Sequence, residues 1–488
     1  MPSASRPKSE LGHTKRVLTV SQALENLASS TQSKLLDELG DKFVAAGFEI
    51  ALVGGSVRDA FLGKAGLDFD LTTDARPDDI AKLLRSMTNA VWEIGRDFGT
   101  IGAEVQGVRI EITTYRADSY MAESRKPSVQ FGDDLEGDLL RRDFTVNAMA
   151  LRLPQRVFVD PHGGLAHLIA GVLQTPGSAA TSFTDDPLRM LRAARFTSQL
   201  GLTPSAETIA AMRKLADRIT IISAERIRDE LTKLLGTANP RLGLEMLVET
   251  GISEHFLPEL PALRLETDEH HHHKDVYEHS LRVLEQAIDF GRDYGLESDL
   301  VLRLAALLHD IGKPATRRLE AGGAVSFYHH DVVGAKLAKR RLTALRFDGD
   351  TVDQVARLIE LHLRFFGYSD QPWSDSAVRR YVRDAGAQLE RLHVLTRADV
   401  TTRNQRKAER LAHAYDDLES RIAELATQEE LAAMRPALDG NEIMEILGLP
   451  PGPAVGDAYQ FLMELRLDEG DLDPNEAKER LLRWWASR

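Results

Sequence analysis

The spacing of apolar side chains changes character along the chain. Between Ser21 and Gly47, Leu24, Leu27, Leu35, Leu36, Leu39 and Phe43 recur at helical intervals. FEIALVGG (48–55) is then a short apolar run closed by two glycines, and SVRDAFLG after it has helical character. This predicts a strand, a tight turn and a helix start. LDFDLTT, AVWEIG, TIGAEV, VRIEITTYR and RVFVDP follow, and their alternation and β-branched content predict strands separated by turns. Residues 48–175 therefore read as a mixed α/β unit.

From Thr184 the strand signals nearly vanish, and DDPLRMLRAARFTSQLG, AETIAAMRKLADRI and SAERIRDELTKLLG read as helices. Ser223 is placed as an N-cap, although Arg226 stands where a capping box wants Glu or Gln. Gly201 and Gly236 are placed to end helices. Asp275 to Val400 is helical and rich in histidine, and the remainder to Arg488 is helical and increasingly acidic. No tandem repeat of fixed period is present.

The 488 residues predict two to four domains. Lys and Arg total 61 against 75 Asp and Glu, a net charge of −14, which argues against holding nucleic acid by bulk positive charge. KLAKRRLTALR and RRYVRD are local basic clusters that could follow an RNA backbone or simply be solvated helix faces. The absence of cysteine excludes disulfides, thiolate metal sites and cysteine nucleophiles, so any metal must sit on His, Asp or Glu. No stretch approaches the roughly 18–20 apolar residues of a bilayer span. The first 20 residues read as a disordered arm rather than a secretory signal. The expectation is a cytoplasmic protein with no membrane partner.

Asp68 and Asp70 lie two apart in a strand-like run, so both leave one face of the strand. Paired carboxylates need a neutralising cation, and oxygen-only ligands suit Mg²⁺, which keeps substrate phosphates in its shell. Upstream, Gly54 and Gly55 turn before a helix that could receive phosphate, with Arg58 adding charge. Glu111 could complete the metal cage from a second strand or be an exposed strand residue. Arg141 and Arg142 could hold a triphosphate or form a charged loop. Asp186, Arg189, Arg192 and Arg195 recur at spacings of three along one helical stripe. They supply the paired acceptors and donors that reading a base edge requires, or else a solvated ion pair.

Taken in order, LVGGSVRD, DFDLTT, RRDFTVNAM, DPHGG, DDPLRMLRAARF and ISAERIRDEL resemble the class II tRNA nucleotidyltransferases, the CCA-adding enzymes and their bacterial poly(A) polymerase relatives. The resemblance covers about residues 48–236. It implies a polymerase-β-like α/β head over 21–175, an all-α neck over 176–236 and a helical body and tail that grip tRNA. It implies that Asp68 and Asp70 bind Mg²⁺, and that Gly55, Arg58 and one of Arg141 or Arg142 contact the triphosphate. Asp186 and Arg189 would pair with CTP and then ATP, supported by Arg192 and Arg195. The implied chemistry is attack of a tRNA 3′-hydroxyl on an α-phosphate with release of pyrophosphate. Departures from the pattern are Asp185–Asp186 for a Glu-Asp pair, His167–Leu168 after DPHGG, and Gln174 for an Arg. The loop within YRADSYMAESRKPSVQFG is full length, which in the family accompanies complete CCA addition.

A second constellation lies further on. His279, His309–Asp310, His330, His362 and Asp399 sit among apolar helical positions, and an adjacent His-Asp is costly to bury without partners. Imidazoles with carboxylates suit Mn²⁺, Ni²⁺, Zn²⁺ or Fe, and Mg²⁺ is the further candidate. The pattern resembles the HD phosphohydrolase domain over about 275–400, within a helical body spanning 237–400 that precedes a tail of 401–488. The resemblance implies hydrolysis of phosphoesters at RNA 3′ ends. His270–His273 looks like a tag but sits mid-chain, so it reads as native or as a loop feature. Two rivals share these motifs: a bacterial poly(A) polymerase, and an HD phosphohydrolase whose head only binds RNA.

Overall fold

The computed structural model describes residues 17–29, 33–64, 68–116, 131–132, 134–265, 276–321, 325–368, 373–401, 404–429 and 435–488. The arm up to residue 16, most of the 115–132 loop segment and His270–His273 lie outside them. The chain forms two compact units, Met1–His255 and Phe256–Arg488.

In the first unit, α1 (Val20–Ser29) and α2 (Ser33–Ala45) take up the opening helical pattern. Seven strands follow: β1 (Ile50–Val53), β2 (Asp68–Thr73), β3 (Val91–Trp92), β4 (Thr100–Val105), β5 (Val108–Thr114), β6 (Ala150–Arg152) and β7 (Val157–Val159). They form one mixed sheet in the order β3-β4-β5-β2-β1-β6-β7, in which β2 and β5 are parallel. Helices α3 (Gly55–Phe61), α4 (Pro77–Arg85), α5 (Leu135–Leu140) and α6 (Gly164–Ala170) punctuate it. Alternation along the central strands separates two faces. Phe69, Leu71, Ile110 and Ile112 are buried, while Asp70 between them is exposed. Helix α4 lies against β3, β4 and β5 and buries Ile80, Ala81 and Leu84. The sheet thus gives one face to the core, while the other, buried at Ala51 and Val53, opens at Asp70 for chemistry. Strand β6 buries both Ala150 and Leu151, so alternation does not announce it.

The helices after the sheet are α7 (Ala179–Asp185), α8 (Leu188–Leu200), α9 (Ala206–Lys214), α10 (Ala224–Leu235) and α11 (Pro240–Glu249). Helix α8 packs on α10 and α11. Gly243 permits the closest part of that contact, since a Cβ there would lie 2.5 Å from the carbonyl oxygen of Ala194. Gly201 ends α8 at φ 68° and Ser223 caps α10 by accepting from Arg226 N at 3.4 Å. Gly236 ends α10 in the right-handed region. A short parallel pair, β8 (Val172–Leu173) with β9 (Thr203–Pro204), was not foreshadowed by the sequence pattern.

The second unit is built on α12 (Glu259–Ala262), α13 (Val276–Gly291), α14 (Leu300–Leu308), α15 (Lys313–Thr316), α16 (His330–Ala344), α17 (Gly349–Leu361), α18 (Asp375–Ala385) and α19 (Leu389–Asp399). A two-residue hairpin, β10 (Arg318–Leu319) and β11 (Val325–Ser326), precedes α16. LVLRLAALL makes α14 almost wholly apolar, and it is surrounded by α13, α17 and α19. Helices α20 (Gln405–Glu429), α21 (Gly440–Leu447), α22 (Pro453–Glu469) and α23 (Pro474–Ala486) complete the chain. Ile443, Ala458, Leu462, Ala477 and Leu481 form the small core of the last three. The basic cluster RRYVRD is engaged within this unit: Arg379 donates to the carbonyl of Leu467 at 3.1 Å and Arg380 pairs with Glu464 and Asp468. Lys339 and Arg341 of the other cluster pair with Asp353 and Glu259. Among the described residues no helix is long and apolar enough to cross a membrane.

Candidate active sites

Gly54 follows β1 with φ +73°, a conformation L side chains rarely adopt, and lies between two charged groups. A Cβ at Gly54 would lie 3.3 Å from Arg142 Nη1 and 3.8 Å from Asp70 Oδ2. Next to it, the Cβ position of Gly55 is 3.5 Å from Arg58 Nη2. On the sheet, Asp70 is in register with Glu111, and Asp68 with Arg109. Glu111 Oε1 accepts from Arg109 Nη2 at 2.8 Å. Asp70, Glu111, Gly54 and Arg142 therefore come together, with Asp68 opening the same strand.

The arginine pair is oriented by Asp138, which is fully buried. Its Oδ1 accepts from Arg141 Nη2 at 2.5 Å, and its Oδ2 accepts from Arg142 Nη2 at 3.0 Å and from Thr72 Oγ1 at 3.2 Å. Burial pushes this carboxyl up, but Arg142 and Arg141 outweigh that and hold it below the usual carboxylate range. Asp138 thus ties β2, two residues beyond Asp70, to both guanidiniums. Its spacing of three and four residues from Arg141 and Arg142 was the signal that could have found it.

Arg58 is buried rather than open to solvent. It donates to Asn147 Oδ1 at 2.6 Å and to Asp59 Oδ1 at 2.9 Å. Asn147 donates to Asp143 Oδ1 at 3.0 Å, and Asp143 Oδ2 accepts from Arg192 Nε at 2.7 Å. Burial would raise the Asp143 carboxyl, yet Arg192 and Asn147 hold it down at about 2. Arg192 also lies 3.6 Å from Glu230, which accepts from Arg195 Nε at 2.7 Å. The Arg58, Arg192 and Arg195 guanidinium carbons lie within 5.5 Å of the Phe196 ring centre. The expected nucleotide contacts Arg192 and Arg195 therefore brace α8 against α10 and Asp143. Sequence reasoning missed Glu230, because its partner Arg195 is 35 residues away.

The expected continuous stripe from Asp186 to Arg195 is broken. Asp186 is extended (φ −137°, ψ 97°) between α7 and α8, because the residue before Pro187 avoids helical conformation. Asp186 Oδ2 accepts from Arg226 Nη2 at 3.1 Å. Arg189 donates to Ser182 Oγ at 2.8 Å and to the carbonyl of Arg141 at 2.5 Å. The expected base-reading residue is thus bonded directly to the backbone of the Arg141–Arg142 segment.

In the second unit all six predicted residues converge. His309 caps the end of α14, His362 the end of α17, His330 begins α16 and Asp399 ends α19. His279 lies in the first turn of α13. His279, His309 and Asp399 form one group of potential ligands, and Asp310, His330 and His362 another, with donor atoms in each within 4.8 Å. Asp310 Oδ2 lies 3.2 Å from His309 Nε2 and joins the two. His309, His330 and His362 donate from Nδ1 to the carbonyls of Ala306, Phe327 and Ile359 at 2.9, 2.8 and 2.6 Å. That leaves each Nε2 lone pair facing inward, the tautomer a metal requires. His362 Nε2 is buried without a hydrogen-bond partner among the described residues. An orphaned imidazole nitrogen beside two carboxylates fits a divalent ion. Lys313, unanticipated, places Nζ 2.8 Å from Asp310 Oδ2.

An α/β head with paired carboxylates and a helical unit with a His/Asp cluster agree with the comparisons to known proteins. The Poly A polymerase head domain matches residues 50–174, the probable RNA and SrmB-binding site of polymerase A matches 201–263, and the HD domain matches 276–404. The chain is 36% identical over 441 residues to the A-adding tRNA nucleotidyltransferase of Deinococcus radiodurans, covering 89% of this chain and 95% of that one. It is 39% identical over 212 residues to the CCA-adding enzyme of Bacillus subtilis, matching 43% of this chain and about half (52%) of that enzyme. The CTP complex of the Bacillus stearothermophilus CCA-adding enzyme shares the fold with a TM-score of 0.65 at 22% identity, over 94% of this chain and 99% of that one. The Thermotoga maritima CCA-adding enzyme complexed with tRNA gives 0.61 at 20% identity, over 96% and 99%. These define a nucleotidyltransferase with an HD domain, two classes that typically depend on divalent metals. More narrowly, the chain belongs to the tRNA nucleotidyltransferase family.

Proposed function

We propose that this chain completes tRNA 3′ ends by adding CCA from CTP and ATP in the cytoplasm. The observation that carries the reading is the bond from Arg189 to the Arg141 carbonyl, which couples a base-reading side chain to the segment facing Gly54 and Asp70. Asp68, Asp70 and Glu111 would hold Mg²⁺, which when bound neutralises charge on the α-phosphate and on departing pyrophosphate. Gly54 leaves backbone open to the triphosphate, Arg142 supplies positive charge, and Asp186 with Arg189 reads the base edge. The tRNA 3′-hydroxyl attacks the α-phosphate and pyrophosphate leaves. We further read the HD residues His279, His309, Asp310, His330, His362 and Asp399 as holders of divalent ions (Mn²⁺, Ni²⁺, Zn²⁺, Fe or Mg²⁺). Bound there, such an ion would polarise a phosphoester and activate water, for hydrolysis at RNA 3′ ends.

One observation favours a second reading: the Deinococcus relative, aligned nearly end to end, is named as A-adding. The two are separated by extension of tRNA lacking CCA, and of tRNA ending in CC, with CTP, ATP or both, resolved nucleotide by nucleotide. CCA addition predicts two additions from CTP and a third when ATP joins. An enzyme that extends only the CC-ended tRNA, by a single A, would be A-adding. A long ladder from ATP alone would make it a poly(A) polymerase.

A further inference from the structure

Trp92 pairs with Gly102, Gly102 with Glu111 and Glu111 with Asp70, so these four positions form one row across the sheet. Residues aligned in this way leave the sheet on the same side, and neighbouring strands lie about 4.8 Å apart, which puts Gly102 roughly 10 Å from Asp70. The indole reaches back over Gly102: a Cβ there would lie 1.9 Å from Trp92 Nε1. Only glycine lets the ring rest on that backbone. Arg109, whose side chain is 60% exposed, has its guanidinium carbon 5.4 Å from the indole centre and is tethered to Glu111 at 2.8 Å. Trp92 is therefore a half-buried aromatic on the chemical face, not part of the core that Ala103 and Ile112 enter from the other side.

We propose that Trp92 and Arg109 form a stacking platform for a base at the single-stranded 3′ end of the acceptor RNA. The proposal rests on nucleotidyl transfer taking place at Asp70. The reacting 3′-hydroxyl must stand beside Asp70, and the nucleotide that bears it, or the one before, then reaches an aromatic two strands away. Stacking on an indole or a guanidinium plane tolerates any base, which suits an end whose identity changes as it grows. Glu104 is exposed in the neighbouring row, opposite Arg109, and its charge disfavours a phosphate path across this patch. What the patch accepts is a base.

The test uses a truncated tRNA with 2-aminopurine as its 3′-terminal base, whose fluorescence falls on stacking, together with steady-state extension. Trp92→Leu still covers Gly102 with an apolar side chain. It is expected to lose the quench and raise KM for tRNA about ten-fold, leaving KM for the nucleotide unchanged, while Trp92→Phe restores most of both. Wild-type quenching and wild-type KM in Trp92→Leu would overturn the platform. Failure of the unaltered chain to extend any tRNA would overturn the platform together with the nucleotidyl-transfer reading beneath it.

Discussion

At the head, Asp70 stands exposed on an open sheet face with Glu111 beside it in register, and the nearby positive charges are guanidiniums. In the HD helices, Asp310 is 1% exposed and His309 wholly buried, among imidazoles whose Nδ1 atoms are fixed by backbone carbonyls. The same element, a carboxylate with cationic neighbours, is thus built in two ways. An open, oxygen-only site suits a hard ion that arrives with substrate phosphates and departs with product. A closed nitrogen and oxygen site suits an ion that stays. One chain can then carry a centre assembled at each turnover and a centre assembled on folding.

The largest effect that would sharpen this contrast is on bound metal. Asp310→Asn alters the carboxylate that joins the two ligand groups. Metal retained through gel filtration, measured by elemental analysis, should fall at least about ten-fold, while nucleotide addition persists. Retention at the unaltered level would break the contrast. Asp138→Asn should cost about 3 kcal/mol in urea unfolding, because two guanidiniums lose a buried partner, and should raise KM for CTP and ATP alike. Asp143 gives a pH signature. Its folded pKa of about 2 lies below the usual value near 4, so its contribution is complete above about pH 4 and is lost as pH falls toward 2. Unfolding free energy should drop by about 2 kcal/mol over that window, and Asp143→Asn should flatten it. Smallest is Arg380→Ala, which removes a largely exposed pair with Glu464 and Asp468 and should cost under about 1 kcal/mol in the same urea assay.

How far the sequence could be read depended on the range of the interaction. Strands such as VRIEITT announced themselves because alternation is local, whereas β6 buries both Ala150 and Leu151 and the β8–β9 pair left no alternating pattern to read. The HD constellation was legible because histidines and aspartates at or near helix ends had no apolar reason to be there. The stripe from Asp186 to Arg195 misled because spacing alone ignored Pro187, which turns Asp186 out of the helix. Arg58 and Arg192 are expected at the nucleotide, and the structure bonds them to Asn147 and Asp143, partners that the sequence pattern did not indicate. Such buried polar chains link residues 49 to 89 apart in sequence, and no local pattern marks them.

The central claim, two chemically separate centres on one tRNA nucleotidyltransferase chain, is tested most directly by a crossed pair of substitutions. Asp70→Ala and His309→Ala are each assayed for nucleotide addition to truncated tRNA and for hydrolysis of an RNA 2′,3′-cyclic phosphate. The account predicts that Asp70→Ala abolishes addition and spares hydrolysis, and that His309→Ala does the reverse. Addition surviving Asp70→Ala, or both activities falling together in either variant, would contradict it.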